Sequence, residues 1–232
     1  MMAHHQDFSA QLQAAAHQLV LALTDHQQDQ LLAYVGQLDK WNRTYNLTSI
    51  RNQQDMLIHH VFDSLAVVPA VKMLLAQDSE YPNPADRQSR PVVIDVGSGG
   101  GLPGVILSIV CECDVHCVDA VQKKMTFVRQ MAGVLKRDNL FAHHHRIESM
   151  PPWQADIVIS RAFSSLTDFV TLAGHHVAPD GVMLAMKGKD PKQEVAHLHQ
   201  NTDWRVVKQE PLVVPDLAAE RCLLHIKNEE RK

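Results

Sequence analysis

A glycine-rich stretch near the middle of the chain constrains the fold more than any other part of the sequence. The run from Val92 to Val96 is apolar except for Asp95, which is typical of a strand buried on both faces. Four glycines follow within five residues, and the apolar segment after them has a helical character. Glycine permits positive φ and close approach of the backbone to a ligand, and a helix N-terminus offers free N–H groups. The stretch therefore predicts a strand, a tight loop and a helix that together bind a nucleotide-like ligand.

Two classes of cofactor are compatible with this loop. Gly99, Gly101 and Gly104 match the spacing of a dinucleotide-binding loop. Asp95, followed by a glycine at every second position up to Gly101, matches the acidic loop of S-adenosylmethionine enzymes. Asp95 would repel the pyrophosphate of a dinucleotide, whereas S-adenosylmethionine carries a sulfonium and an ammonium group. The charge therefore favours the methyl donor, and the predicted cofactor-binding residues of this stretch are Asp95, Gly97, Gly99 and Gly101.

Length, charge and cysteine content narrow the class of protein. The 232 residues suffice for one large domain, alone or with a small one. The formal net charge of -4 argues against tight, indiscriminate binding of nucleic acid but allows a local basic face for a shaped RNA. The cysteines are too few for a disulfide scaffold, the polar N-terminus is unlike a signal peptide, and no apolar run approaches the roughly 18 residues of a membrane span. We expect a soluble cytoplasmic protein with reduced thiols and no contact with a membrane.

The N-terminal third of the chain has a helical pattern. Apolar residues recur at spacings of three, four and seven, and Thr24 with Gln27 forms a capping box between two amphipathic helices. A third helix is expected to begin near Gln53. The predicted organisation is an N-terminal helical segment over 1–76 that packs on the core, a linker over 77–90, and an S-adenosylmethionine-dependent methyltransferase domain over 91–232.

After Pro91, strand-like and helix-like runs alternate. This alternation predicts an α/β, Rossmann-like fold, in which a mostly parallel sheet has helices on both faces and binds its ligand at the carboxyl ends of the strands. The predicted strands are 91–96, 115–119, 140–145, 156–161, 181–187, 204–210 and 221–227, and the predicted helices are 103–111, 121–136, 166–177 and 191–200.

Three further strand ends carry residues suited to this cofactor. Asp119 follows the glycine loop by about twenty residues, where a carboxylate binds ribose hydroxyls, and it could also cap the next helix, a role that does not exclude ribose binding. Ile147 and Glu148 follow the third strand, where an adenine edge could rest. Arg161 ends the fourth strand and could bind the cofactor carboxylate, an RNA phosphate or a neighbouring acid.

The histidine and cysteine clusters do not predict a metal site. His143, His144 and His145 are consecutive, so in a strand they alternate between faces. The cysteines between Cys111 and Cys117 lack the paired spacing of a zinc ribbon and are expected to be buried free thiols.

Many short motifs along the chain resemble those of one bacterial family. They are Asp95 to Gly104, Asp119 with Lys123 and Lys124, Arg146 with Glu148, Ser160 to Phe163, Lys187 with Gly188, Glu220 with Arg221, and the N-terminal Trp41 with Asn42, Tyr45 to Thr48, His60 and Asp63 to Leu65. Together they resemble the 16S ribosomal RNA small subunit methyltransferase G family (RsmG, also called GidB) over nearly the whole chain.

The resemblance implies a class I methyltransferase fold that binds S-adenosylmethionine and releases S-adenosylhomocysteine. It implies transfer of the methyl group to N7 of a guanosine in the 530 loop of 16S ribosomal RNA, either as naked RNA or in the small ribosomal subunit. Separately from the resemblance, we expect a monomer. Because N7 already carries a lone pair, no catalytic base is expected. The residues that the resemblance places at the cofactor are Gly97, Leu102, Ile147, Glu148 and Arg161.

Other functions are compatible with parts of the sequence. They are a methyltransferase acting on another RNA, a protein or a small molecule, a nicotinamide oxidoreductase, and a non-enzymatic RNA-binding factor. For RNA binding, the N-terminal candidates are Asn42, Arg43, Tyr45, Asn46 and Arg51, which could instead pack on the core, and the basic candidates are Lys123, Lys124, Arg129, Lys136, Arg137, Lys187, Lys189 and Lys192.

Overall fold

The computed structural model describes residues 2–77, 90–161, 163–188 and 191–229. Most of the linker predicted over 77–90 lies outside these residues, as do Ala162 and Lys189.

The N-terminal part is helical. Its helices are α1 (Met2–Gln18), α2 (Asp25–Tyr45), α3 (Gln53–Met56), α4 (Asp63–Leu65) and α5 (Val68–Gln77), with a π-helical segment (Leu57–Phe62) between α3 and α4. The predicted capping box is present, because the Gln27 N–H donates to Thr24 Oγ1 and the Thr24 N–H donates to Gln27 Oε1. The helix expected near Gln53 begins there, but its π-helical segment has no counterpart in the prediction.

The remainder of the chain forms a seven-stranded sheet in the order β3-β2-β1-β4-β5-β7-β6, in which β7 is antiparallel to both of its neighbours. The strands are β1 (Val92–Val96), β2 (Asp114–Asp119), β3 (Leu140–His144), β4 (Ala155–Ser160), β5 (Val177–Lys187), β6 (Trp204–Pro211) and β7 (Cys222–Asn228). The helices are α6 (Gly104–Val110), α7 (Gln122–Val134), α8 (Leu166–Ala173) and α9 (Lys192–Asn201). The predicted α/β fold is confirmed, because strand order reverses next to β1 and helices cover both faces.

One boundary differs clearly from the prediction. The helix expected over 166–177 ends at Ala173, and β5 begins at Val177 rather than at residue 181. A register shift between Ala155 and Ile157 of β4 accommodates the extra residues of β5. Gly181 lies so close to β4 that a Cβ there would come within 2.7 Å of the Ala155 carbonyl oxygen. The turn residues before 181 therefore belong to an irregular strand, which a period-based prediction does not detect.

The two faces of the sheet have separate hydrophobic cores. Alternate residues of β1 divide between them: Val93 faces the core shared by α2, α6 and α7, while Ile94 faces the core shared by α8 and α9. The N-terminal helices belong to the first core. Among the described residues, the helical run Gln53–Ala76 is long and apolar enough to cross a membrane, but 67% of its apolar window is buried inside the protein. This run is therefore a core helix of the fold.

Three side chains of α2 tie the N-terminal helices to the elements around the glycine loop. Gln27 Nε2 donates to the Ile109 carbonyl oxygen at 3.0 Å, and Gln30 Nε2 donates to the carbonyl oxygen at the end of α7 at 2.6 Å. The fully buried Tyr34 donates its hydroxyl proton to the Gly100 carbonyl oxygen at 2.8 Å. Helix α2 is thus bonded directly to the loop that follows β1.

Candidate active site

The glycine loop after β1 adopts the backbone conformation that its composition suggests. Gly97 and Gly99 have φ of +68° and +59°, and a Cβ at either position would meet no atom within 4 Å. Gly101 also has positive φ, but its Cβ would come within 2.4 Å of Val105 Cγ2. The first two glycines therefore face open space, while the third allows the loop to pack closely on α6.

Asp95 lies beneath this loop. The side chain is fully buried, and its Oδ2 accepts a hydrogen bond from the Gly104 N–H at 2.7 Å. Its Oδ1 has no hydrogen-bond partner within the described part of the chain. Burial raises the pKa of Asp95 to about 7, and the hydrogen bond from Gly104 opposes that rise. Asp95 therefore joins the end of β1 to the start of α6 and keeps one oxygen unused.

Asp119 holds the same loop from the end of β2. Its Oδ2 accepts from the Gly99 N–H at 3.0 Å, and its Oδ1 accepts from the Val121 N–H at 2.8 Å, immediately before α7. Lys124 Nζ lies 3.4 Å from Oδ2. Asp119 therefore bonds both to the glycine loop and to Val121, the residue before α7, but α7 has no side-chain hydrogen bond at its N-cap, so the capping expected of Asp119 is not observed.

The predicted adenine-side residues lie after β3. Both residues lie in a short 3₁₀ turn, in which Ile147 is buried and Glu148 is exposed. Glu148 Oε1 forms an ion pair with Arg146 Nη1 at 3.9 Å. Because β3, β2 and β1 are adjacent and parallel, this turn, Asp119 and the glycine loop follow one another along a single edge of the sheet.

A cavity of about 150 Å³ separates the glycine loop from the N-terminal helices. Its lining residues are Leu38, Leu47, Thr48, His60, Gly97, Ser98, Gly99, Gly100, Leu102, Lys124 and Arg161. The lining includes four of the predicted cofactor residues, namely Gly97, Gly99, Leu102 and Arg161. The other five lie beside or beneath the loop or farther along the sheet edge, namely Asp95, Gly101, Asp119, Ile147 and Glu148.

The N-terminal side of the cavity consists of residues that no sequence pattern assigned to a ligand. Leu38, Leu47, Thr48 and His60 form this side, which we call the N-terminal wall. Buried Asn42 supports it, because Asn42 Oδ1 accepts from the Thr48 N–H at 2.9 Å. Thr48 and His60 occur in the motifs of the family resemblance, but no local spacing places them near the glycine loop.

His60 is held as a neutral imidazole. Its Nε2 lies 2.8 Å from Thr48 Oγ1, and its Nδ1 lies 3.1 Å from the His59 carbonyl oxygen. Burial, and to a smaller extent the nearby charge of Arg161, lowers the pKa of His60 to about 4. Since a carbonyl only accepts, Nδ1 carries the proton and Nε2 accepts from the Thr48 hydroxyl. Both ring nitrogens are thus engaged.

Arg161 forms an ion pair, but with a buried carboxylate rather than at the surface as the alternative interpretation expected, and it also lines the cavity. Its Nη1 donates to Asp63 Oδ2 at 3.2 Å and to the His59 carbonyl oxygen at 3.0 Å. Asp63 Oδ1 accepts from Arg221 Nε at 3.0 Å. The end of β4, the N-terminal helices and the start of β7 therefore meet at one carboxylate.

No group of three or more histidine, cysteine or acidic side chains in the described ranges could hold a metal ion. His116 Nδ1 lies 3.1 Å from His143 Nε2 on neighbouring strands, without a third such ligand. All four cysteines are buried and outside disulfides, namely Cys111, Cys113, Cys117 and Cys222, and burial was expected for the first three.

The chemistry of the site fits S-adenosylmethionine. Gly97 and Gly99 leave room against the backbone, Asp119 offers a carboxylate at the loop, and Arg161 offers a cation in the cavity lining, after the strand on the other side of β1 from β2. The fold and this site define a class I S-adenosylmethionine-dependent methyltransferase. An S-adenosylmethionine-dependent methyltransferase from Aquifex aeolicus has the same fold, with a TM-score of 0.53 at 13% identity over 84% of this chain and 97% of that one. A ribosomal protein L11 methylase from Lactobacillus delbrueckii subsp. bulgaricus gives a TM-score of 0.51 at 13% identity over 69% of this chain and 78% of that one.

Sequence comparison identifies the family. A family model described as rRNA small subunit methyltransferase G (GidB) matches residues 27–224. The ribosomal RNA small subunit methyltransferase G of Bordetella petrii is 48% identical, over 97% of this chain and 84% of that protein. The corresponding protein of Bordetella avium is 52% identical, over 94% of this chain and 93% of that protein. The chain belongs to the rRNA small subunit methyltransferase G family.

Proposed function

We propose that this chain transfers a methyl group from S-adenosylmethionine to N7 of a guanosine in the 530 loop of 16S ribosomal RNA. The observation that carries the proposal is the cavity between the glycine loop and the N-terminal wall, in a chain that belongs to the rRNA small subunit methyltransferase G family. When bound, the cofactor supplies an electrophilic methyl group on a sulfonium.

The protein residues would bind and orient the two reactants. Gly97 and Gly99 would accommodate the cofactor against the backbone, Asp119 would accept hydrogen bonds from its ribose, and Arg161 would bind an anionic group. Ile147 and Glu148 would lie toward the adenine, because they follow β3 on the same edge.

The state of His60 supports a reaction without a general base. His60 is the histidine of the cavity lining, and it is neutral with both ring nitrogens bonded. Guanine N7 presents a lone pair and loses no proton when it attacks the methyl group. Alignment of the reactants and exclusion of water can then supply much of the rate, since well-oriented reactants gain roughly 7–11 kcal/mol. We therefore expect no rising limb in the rate between about pH 6 and 9.

Part of the N-terminal segment would contact the RNA. Arg43 and Arg51 are exposed, and Tyr45 is 44% exposed and lies 4.9 Å from Trp41, ring centroid to ring centroid. These groups suit phosphate contacts and base stacking. Asn42 is 2% exposed and holds the turn that carries Thr48, so its role is structural rather than RNA contact.

We further propose that the chain is a cytoplasmic monomer that acts on 16S ribosomal RNA or on the small ribosomal subunit without membrane contact. The test is mass mapping of 16S ribosomal RNA fragments after incubation with the protein and isotopically labelled S-adenosylmethionine. Naked RNA and isolated subunits are tested in parallel. The expected product is a single 7-methylguanosine in the 530 loop.

The Asp119→Ala variant is the control for a contaminating activity, because it should lower the yield at limiting cofactor. A methyl group at an exocyclic or Watson–Crick position would contradict the proposed chemistry. Methylation of free nucleosides or of protein but not of ribosomal RNA would favour another substrate, and tight binding of NADH would favour the oxidoreductase alternative.

A further inference from the structure

Asp63 accepts hydrogen bonds from two arginines, and neither the proposed chemistry nor the cofactor assignment uses it. It is 3% exposed overall, and its oxygens bond separately, Oδ2 to Arg161 Nη1 and Oδ1 to Arg221 Nε. Two guanidinium groups around one carboxylate leave a net charge of +1, since His60 is neutral. Such a cluster favours an anion next to it.

The topology explains why these groups meet. Arg161 directly follows β4, which runs parallel to β1, so it lies at the carboxyl edge of the sheet. Strand β7 is antiparallel to β5, so Arg221, immediately before β7, lies at the same edge. Asp63 opens α4 directly after the π-helical segment, and the His59 carbonyl of that segment also accepts from Arg161.

Arg161 keeps donors available after these contacts. Within the described residues, the guanidinium donates only through Nη1, to the His59 carbonyl oxygen and to Asp63 Oδ2, which leaves Nε and Nη2 without a protein partner. Arg161 also lines the cavity. An arginine fixed through one nitrogen can offer the other two as a paired donor to a carboxylate or a phosphate.

We propose that Asp63 is a positioning residue of the methyl-transfer site, which fixes the guanidinium of Arg161 so that its remaining donors bind a carboxylate or phosphate group of a ligand in the cavity. The inference rests on the proposed function, because it assumes that cofactor or RNA occupies this cavity. The anion is either the carboxylate of the cofactor or a phosphate of the RNA.

The test is a double-mutant cycle on ligand affinity. Asp63→Asn, Arg161→Gln and the double variant are compared with the unmodified protein by calorimetric titration with S-adenosylhomocysteine and with 5′-methylthioadenosine, which lacks the carboxylate. The KM for RNA at saturating cofactor is the second readout. We expect Asp63→Asn to weaken one ligand about tenfold and to have no further effect in the Arg161→Gln background.

The two readouts distinguish the source of the anion. Weaker binding of S-adenosylhomocysteine with unchanged binding of 5′-methylthioadenosine identifies the cofactor carboxylate. An increased KM for RNA with unchanged cofactor affinity identifies a phosphate. In either case, Arg221→Gln should weaken ligand binding less than Asp63→Asn does, because it leaves the ion pair of Asp63 and Arg161 intact.

Asp39→Asn is the matched control for cofactor binding. Asp39 is also a buried N-terminal aspartate bonded to an arginine, Arg43, at 2.8 Å, but neither residue lines the cavity. This control should lose stability without losing affinity for S-adenosylhomocysteine. The free energy of unfolding is measured for every variant, and Asp63→Glu replaces Asp63→Asn if the latter does not fold.

Three results would overturn the proposal. In the first, Asp63→Asn is less stable but has unchanged ligand affinity and unchanged KM for RNA. In the second, the losses of affinity in Asp63→Asn and Arg161→Gln add in the double variant. In the third, Arg221→Gln and Asp63→Asn lose the same affinity. Failure of the proposed function would appear differently, as absence of 16S ribosomal RNA methylation by the unmodified protein while the binding cycle remains measurable.

Discussion

The cavity has two walls that are built in different ways. The glycine loop is contiguous in sequence and presents mainly backbone, whose shape follows from positive φ at a few positions. The N-terminal wall consists of side chains from α2, the turn after it and the π-helical segment, brought together by packing. The first wall therefore depends on local backbone conformation, and the second depends on the whole N-terminal part being docked. Mutations in the two walls should consequently have different effects.

The largest difference is expected between a glycine of the loop and a glycine of α2. In Gly101→Ala, positive φ and the 2.4 Å approach of Cβ to Val105 should together cost roughly 2–5 kcal/mol of unfolding free energy. In Gly36→Ala, the new Cβ meets nothing within 4 Å, so the helix should gain about 0.5–1 kcal/mol. Denaturant titration of both variants measures these changes. Equal destabilisation by the two substitutions would remove the contrast between the walls.

Asp119→Ala should affect ligand binding through the loop wall. It removes a carboxylate that accepts from the Gly99 N–H and is proposed to bind the ribose, so affinity for S-adenosylhomocysteine should fall by about 1.5–3 kcal/mol. Asp114→Ala is the control, because Asp114 lies at the other end of β2 and pairs with Arg90. Calorimetry should show a loss only in the first variant, and unchanged affinity there would exclude Asp119 from the site.

The N-terminal wall should respond to acid through His60. The pKa of His60 is about 4 in the folded protein and near 6.5 when unfolded, so the unfolded state binds the proton more readily between these values. The folded state gains its full stabilisation from the neutral imidazole above pH 6.5 and loses it as the pH falls to 4, a change on the order of 3 kcal/mol. Asp95 acts in the opposite direction. Because its pKa is raised to about 7 in the folded protein, its contribution to stability is largest at a pH below the pKa of the unfolded state and decreases as the pH rises toward 7.

The His60→Gln variant separates these contributions. Glutamine cannot titrate, so the slope of unfolding free energy between pH 6.5 and 4 should decrease relative to the unmodified protein. His116 serves as the comparison, because burial also lowers its pKa to about 4 although it lies on β2 beside His143 of β3 and does not line the cavity. Identical slopes in His60→Gln and the unmodified protein would show that the pKa of His60 is not lowered in the folded state.

The smallest effect concerns RNA contacts beside the N-terminal wall. Arg43→Ala and Arg51→Ala should each raise the KM for RNA a few-fold and lower the salt dependence of binding by about one unit of slope. Affinity for S-adenosylhomocysteine should not change. Lys72→Ala, at an exposed position of α5, controls for general loss of charge. Normal methylation by both arginine variants at limiting RNA would exclude this surface from recognition.

The two walls also differ in how well they could be predicted from the sequence. The strand before Gly97 and the helix after Pro103 could be predicted because apolar runs and glycines act within a few residues. The capping box at Thr24 could be predicted for the same reason.

The N-terminal wall could not be predicted from local patterns. Thr48 and His60 are twelve residues apart, and they face the glycine loop only because α2 docks through Tyr34 and because a π-helical turn places His59 and His60 beside Arg161. The spacing of apolar residues in that helix is equally compatible with a regular α-helix. Asn42 shows the same limit, since its polar side chain bonds to the backbone rather than to solvent.

The hydrogen bond from Tyr34 to the Gly100 carbonyl has a consequence for how the protein opens. Because this phenol is fully buried, α2 cannot separate from the loop without exposing both an aromatic ring and an unpaired carbonyl. Amide hydrogen exchange in the middle of α2 and in α6 should therefore share one opening free energy, as a single cooperative unit. A truncated protein without the N-terminal helices should therefore be less stable, with its glycine loop exposed, and should not fold as an independent, smaller enzyme.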